Sequence, residues 1–329
     1  MYEQFLNLGE GYTEEGLLLL YAANLGGFFE ALEHSNARSL RGKLIAAAHK
    51  RAAVGECAYP GCEKDPIRRS HVISKGLALN SIVEDLNLLT PDLSEFGNPR
   101  IREINRKSAS TFPGYCTSHE AVFGDFEKAG VLNNATDFKL QLMRSAAREE
   151  WWVARTHAYL LDLRSILSGE IDTAPLDKGH WRETVLRPLD GLCSSLAIRR
   201  ERLSSVHRDA ANAASDGGSL PPWMHAVSTE EHIPIALSGS TSLIHPESYT
   251  LVFVSFPQAG GRLTLFASSR DDGELVKAYA EKYVTDPQLA SGLLTSWMTG
   301  TDHWFVRPSW WSAQSEVWRT SLLSELGNL

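Results

Sequence analysis

The sequence predicts an α+β protein, with helical N-terminal and central segments and a C-terminal α/β domain built on an antiparallel or mixed sheet. Apolar residues recur at helical spacing up to about residue 214. A stretch of linker composition follows, SDGGSLPP at 215–222, and beyond it the apolar period shortens to that of strands. A length of 329 residues suggests two or three domains rather than one.

The elements follow in order. Thr13 with Glu14 and Glu15 is a helix start. Leu17, Leu18, Leu20, Tyr21, Leu25, Phe28, Phe29 and Leu32 then keep helical spacing, predicting helix over 12–53 with a second helix over 37–54. Residues 55–130 combine turn signals, including Tyr59-Pro60-Gly61 and the stretch SEFGNPR, with a cluster of cysteine and histidine. Helical periodicity returns over 134–168, where Leu140, Leu142, Trp151, Trp152, Tyr159, Leu160 and Leu163 form the expected core face, and again over 181–214. After the linker, HIPIALSGS, YTLVFVSF and RLTLFASS read as strands. Helices over 273–283 and 287–298, a short strand HWFV and a terminal helix from Ser312 complete the chain. The expected division is 1–54, 55–130, 131–216 and 217–329. The tryptophans Trp304, Trp310, Trp311 and Trp318 are assigned to packing, and Cys193 to a core.

A composition of 43% hydrophobic and 22% charged residues is that of a globular chain with enough apolar material for sizeable cores. The longest apolar run, 17–23, is too short to cross a bilayer, and the acidic N-terminus lacks the basic start of a secretory signal. These features lead to the expectation of a cytoplasmic protein without a membrane partner. The sequence leaves the oligomeric state open, and a homo-oligomer is compatible with it. Four cysteines are too few for a disulfide framework, which makes metal binding the better use for clustered ones.

The net charge of −8 is unevenly placed. Residues 1–37 hold six acidic side chains and no Lys or Arg, whereas 38–107 hold thirteen Lys/Arg against eight Asp/Glu, a local balance of +5. A phosphate backbone responds to the field within a Debye length of about 8 Å, so this segment is the expected nucleic-acid face.

The same region holds the chemistry. Cys57-Ala-Tyr-Pro-Gly-Cys62 and Cys116-Thr-Ser-His119 are two knuckles of ligand type. Thiolates converging on one tetrahedral ion at about 2.3 Å need a tight chain reversal between them, which Pro60-Gly61 supplies. The set Cys57, Cys62, Cys116 and His119 is a common structural-zinc combination. Between the knuckles lies Arg68-Arg69-Ser70-His71-Val72-Ile73-Ser74-Lys75, a histidine opening a β-branched pair among basic residues.

In these residues the chain resembles the HNH branch of the His-Me finger (ββα-metal) nucleases, over about residues 55–130. The resemblance implies a zinc-stapled, treble-clef-like ββα module that hydrolyses phosphodiesters, in DNA before RNA. It implies that His71 is the general base and that Glu120, directly after the second knuckle, is a ligand for a catalytic Mg²⁺ or Mn²⁺. Arg68, Arg69 and Lys75 would hold the nucleic-acid backbone. A bacterial restriction or phage-defence effector is the biology it suggests. The chain departs from the family at Ser70, where a metal-ligating acid is usual. No Asn among Asn80, Asn87 and Asn105 stands in a decisive context, and Asp125 and Glu127 on the following helix read as a solvated face. Two alternatives stay open: a non-catalytic zinc adapter that binds nucleic acid, and an activity seated in the C-terminal domain with zinc purely structural.

Overall fold

The computed structural model describes residues 25, 27–32, 39–40, 43, 55–92, 99–173, 177–245, 247–258, 260–285 and 287–326. Most of the helix expected over 12–53 lies outside the described residues. The architecture is mixed α+β. The chain divides into two compact units, one formed by 1–53, 152–200 and 328–329, the other by 54–151 and 201–327. Two long helices, α3 (Ala135–Thr173) and α4 (Arg187–Asp216), contribute to both units. No described helix is long and apolar enough to cross a membrane.

In the first unit the described part of the N-terminal stretch contains Phe28, fully buried and edge-on to Trp181 with ring centroids 5.2 Å apart. Lys43 ion-pairs with Glu170 in the same unit.

The second unit is built on a seven-stranded sheet and a two-stranded pair. Its strands are β1 (Ser70–His71), β2 (Asn87–Asp92), β3 (Arg100–Asn105), β4 (Thr111–Phe112), β5 (Met224–Thr229), β6 (Ile235–His245), β7 (Glu247–Gln258), β8 (Gly261–Ala267) and β9 (Trp304–Val306). The large sheet has the order β3-β2-β9-β6-β7-β8-β5, with every pairing antiparallel. Leu251, Val252, Phe253 and Val254 are all buried, a continuous apolar run that a strand covered on both faces requires. One face packs against α5 (Gly273–Thr285), α6 (Pro287–Thr299), α7 (Pro308–Ala313) and α8 (Glu316–Leu326). Its core gathers Ile235, Leu237, Leu251, Phe253, Val276, Trp297, Trp304, Trp311 and Leu322. The tryptophans expected to pack do so: Trp304 and Trp311 are buried with centroids 5.8 Å apart, and Trp318 meets both Trp310 and Trp311.

Ser240 faces the other way and donates to Glu149 on α3 at 2.9 Å, so the first turns of α3 cover the opposite face. Three strands go beyond the sequence reading. β2 and β3, from the stretch between the two knuckles, extend the sheet of C-terminal strands through Leu89 opposite Val306, and β5 closes its other edge. The terminal helix expected from Ser312 is two helices, broken at Gln314, whose backbone is extended (φ −72°, ψ 149°).

A candidate metal centre beside a buried ion triad

The first knuckle folds as its sequence dictates. Cys62 N–H donates to Tyr59 C=O at 3.0 Å, closing a turn with Pro60 and Gly61 at its centre. Gly61 has φ +77°, a left-handed value that a side chain resists, so glycine at this corner lets the two thiols face one ion. The second knuckle opens a helix, α1 (Thr117–Glu120), in which the N–H groups of His119 and Glu120 both reach the Cys116 carbonyl. Two backbone bonds, Ala58 N–H to Gly114 C=O at 2.7 Å and Ile67 N–H to Tyr115 C=O at 2.8 Å, bind the knuckles together.

Cys57, Cys62, Cys116 and His119 thereby form a four-ligand set able to hold a metal ion, with all donor atoms within 4.8 Å of one another. His119 Nδ1 lies 3.4 Å from the sulfurs of both Cys57 and Cys116, and the Cys62 and Cys116 sulfurs are 4.0 Å apart. A tetrahedron with metal–sulfur bonds of about 2.3 Å and a metal–nitrogen bond of about 2.0 Å has edges of about 3.5–3.8 Å, close to these three separations. Tyr59 stacks on the His119 ring at 3.9 Å and 10°, fixing its plane. Burial pushes the Cys57 thiol up to about 11, while the His119 backbone N–H lowers Cys116, and the Cys116 N–H in turn reaches the Cys57 sulfur at 3.2 Å. Among the described residues no second group of three His, Cys, Asp or Glu donors converges in this way.

Next to the centre, β1 and β4 pair antiparallel, Ser70 opposite Phe112 and His71 opposite Thr111, and the chain then enters the helical run α1, a 3-10 turn Ala121–Phe123, and α2 (Gly124–Ala129). The order is strand, strand, helix. Ser110 secures the strand end beyond His71, its C=O accepting from Val72 N–H at 2.7 Å and its hydroxyl from Ile73 N–H at 2.8 Å. The helical turn Lys75–Leu79 then presses on α2 so closely that a Cβ at Gly76 would sit 2.4 Å from the Glu127 carbonyl oxygen. Only glycine fits there.

His71 is half-buried, and its Nε2 is buried with no hydrogen-bond partner. Burial lowers its pKa below the ordinary imidazole value, Arg144, Lys75 and Arg69 push the same way, and Glu127 opposes them. Arg68 and Arg69 are exposed and Lys75 is half-buried. Ser70 is fully buried, and its hydroxyl accepts from Tyr115 N–H at 2.9 Å. Asn80 accepts from Arg106 at 2.8 Å, while Asn87 and Asn105 bond each other across β2 and β3; no bond from any of the three to His71 is seen.

Glu120 is the expected ligand for a catalytic ion, yet its carboxylate pairs with Arg144 at 3.3 Å. The same guanidinium binds Glu127 at 2.7 Å and lies over the Phe123 ring at 3.9 Å. Arg144 is completely buried. Burial raises the Glu120 carboxyl above the ordinary carboxylate range, against Arg144, the Ser70 hydroxyl and the His71 backbone N–H. The helix face read as solvated is therefore split: Asp125 is exposed, but Glu127 turns toward Arg144. Arg144 itself escaped the sequence reading. Its signal was an arginine four residues after Leu140 and seven before Trp151, on the face of α3 otherwise assigned to the core. Comparison with family models, curated proteins and solved structures gave no match for this chain.

Proposed function

We propose that the chain cleaves nucleic-acid phosphodiesters, in DNA before RNA, through a zinc-organised module over 55–130. The observation that carries this reading is the assembly of the Cys₃His set beside an antiparallel strand pair and helix, with His71 at the strand end. Three thiolates and an imidazole in tetrahedral proportions favour zinc over the harder cations. Zinc there is structural: all four positions are filled by protein, and it holds β1 and α1 in register. His71 is the general base, taking the proton of the water that attacks phosphorus. The exposed Arg68 and Arg69, with Lys75, hold the backbone. The four reduced cysteines suit a cytoplasmic protein.

Wild-type protein is incubated with supercoiled DNA and with structured RNA, beside His71→Ala. Cleavage by wild type and a fall of about 10²–10⁴-fold in the variant, at unchanged zinc content, are expected. A general base must be neutral, and His71 is held below the usual imidazole value of about 6.5. The rate therefore rises with pH, with its midpoint below that value. Undiminished cleavage by His71→Ala contradicts the mechanism. Ser70, tied to Tyr115 N–H and without the charge of a metal-ligating acid, favours a second reading, a non-catalytic adapter. Salt-sensitive binding without cleavage of either substrate selects it.

A further inference from the structure

We propose that Arg144, lying between Glu120 and Glu127, fills the cation position beside Glu120 that the HNH resemblance would give to a divalent metal, so that this centre does not take Mg²⁺ or Mn²⁺. Its catalytic consequence, cleavage without an added divalent ion, rests on the nuclease reading; the assignment of Arg144 stands apart from it.

Glu120 and Glu127 are seven residues apart, two helical turns, and their carboxylates converge on one guanidinium. A Mg²⁺ site asks for near-octahedral oxygen ligands and room for several waters around one or two carboxylates. Here the room between the carboxylates is filled by a side chain with no solvent exposure. A guanidinium cannot lose its proton to make way, and its charge repels an incoming cation. Displacing it would strand a buried charge and surrender its contact with the Phe123 ring, 3.9 Å away.

Ser70 completes the substitution. Where the resembled family usually has an acidic ligand this chain has a neutral hydroxyl, and it neighbours Glu120. Arg144 reaches these groups from α3, outside the 55–130 segment, and Gln141 one turn earlier donates to the Val72 carbonyl at 2.9 Å. The helix thus holds both the strand that carries His71 and the carboxylates beside it. Arg144 is a positioning residue, because both of its terminal nitrogens are taken by carboxylates. Countercharge for phosphate is left to Arg68, Arg69 and Lys75.

The test is a Mn²⁺ titration of zinc-loaded, full-length protein, followed by electron paramagnetic resonance. Wild type is expected to show no saturable Mn²⁺ site up to about 1 mM. Arg144→Met is expected to gain one that is lost again when Glu127→Gln is added, while Arg144→Lys, which keeps the charge, gains none. Saturable Mn²⁺ binding by wild type that Glu120→Gln abolishes overturns the proposal, and this arm does not depend on the folding of Arg144→Met. In cleavage assays in buffer freed of divalent ions, wild-type activity is expected to change less than about 2-fold on adding Mg²⁺ or Mn²⁺, within measurement scatter. A strict requirement for either ion overturns it. Absence of cleavage with or without added ions overturns the nuclease reading, and the Mn²⁺ titration then decides the Arg144 assignment alone.

Discussion

Cys116→Ser is expected to unfold the 55–130 segment under conditions where wild type is fully folded. Cys116 is one of the four residues able to hold the ion, caps the start of α1 through its carbonyl, and donates its N–H to the Cys57 sulfur. The knuckles are otherwise short of stabilising material, since β1 and β4 are two residues each and α1 is four. Structural zinc contributes about 10–16 kcal/mol of apparent binding free energy at neutral pH, and in a module this small that is folding free energy. A three-ligand site retains only part of it. Hydrogen exchange should show amides of 57–67 and 111–120 losing protection in the variant, and in wild type treated with a strong chelator. Full protection with the metal removed contradicts a structural role for it.

Arg148→Leu is expected to destabilise the second unit by about 3–5 kcal/mol, a large part of the 5–15 kcal/mol typical of a folded domain. Arg148 is buried on α3 and pairs with Glu149 at 2.6 Å and with Asp302, just before β9, at 2.9 Å. Glu149 also accepts from Ser240 at 2.9 Å. Removal of the guanidinium leaves Glu149 a buried charge without its Arg148 countercharge. Next door, His303 is buried and held well below its ordinary pKa by that burial and then by Arg148. Chemical denaturation measures the loss. Neutralising the partners as well, with Arg148→Met, Glu149→Gln and Asp302→Asn together, should recover much of it, because a buried ion pair contributes little beyond an uncharged replacement. A change under 1 kcal/mol in Arg148→Leu contradicts this account of the network.

The convergence of Cys57, Cys62, Cys116 and His119 was legible in the sequence because its determinants are local. Pro60-Gly61 fixes one reversal and the two-residue spacing of Cys116 and His119 fixes the other, leaving the fold only to bring two knuckles together. The strands β6, β7 and β8 were legible for a similar reason: β-branched and aromatic runs such as LVFV stand between clear breaks. β2 was not, because Asn87–Asp92 contains Pro91 and its pairing partner Val306 lies near the other end of the chain. The polar surroundings of His71 were hardest to see. Glu120 and Glu127 look like any acidic helix residues, and what distinguishes them is an arginine contributed by another helix. Periodicity places Arg144 on a buried face but is silent about which charges meet it there.

The central claim is the Cys₃His zinc centre, and X-ray absorption at the zinc edge on purified protein tests it most directly. The account predicts one zinc per chain, in a four-coordinate shell of three sulfurs at about 2.3 Å and one imidazole nitrogen at about 2.0–2.1 Å. Zinc absent from the folded protein, or bound through oxygen and nitrogen alone, would contradict it.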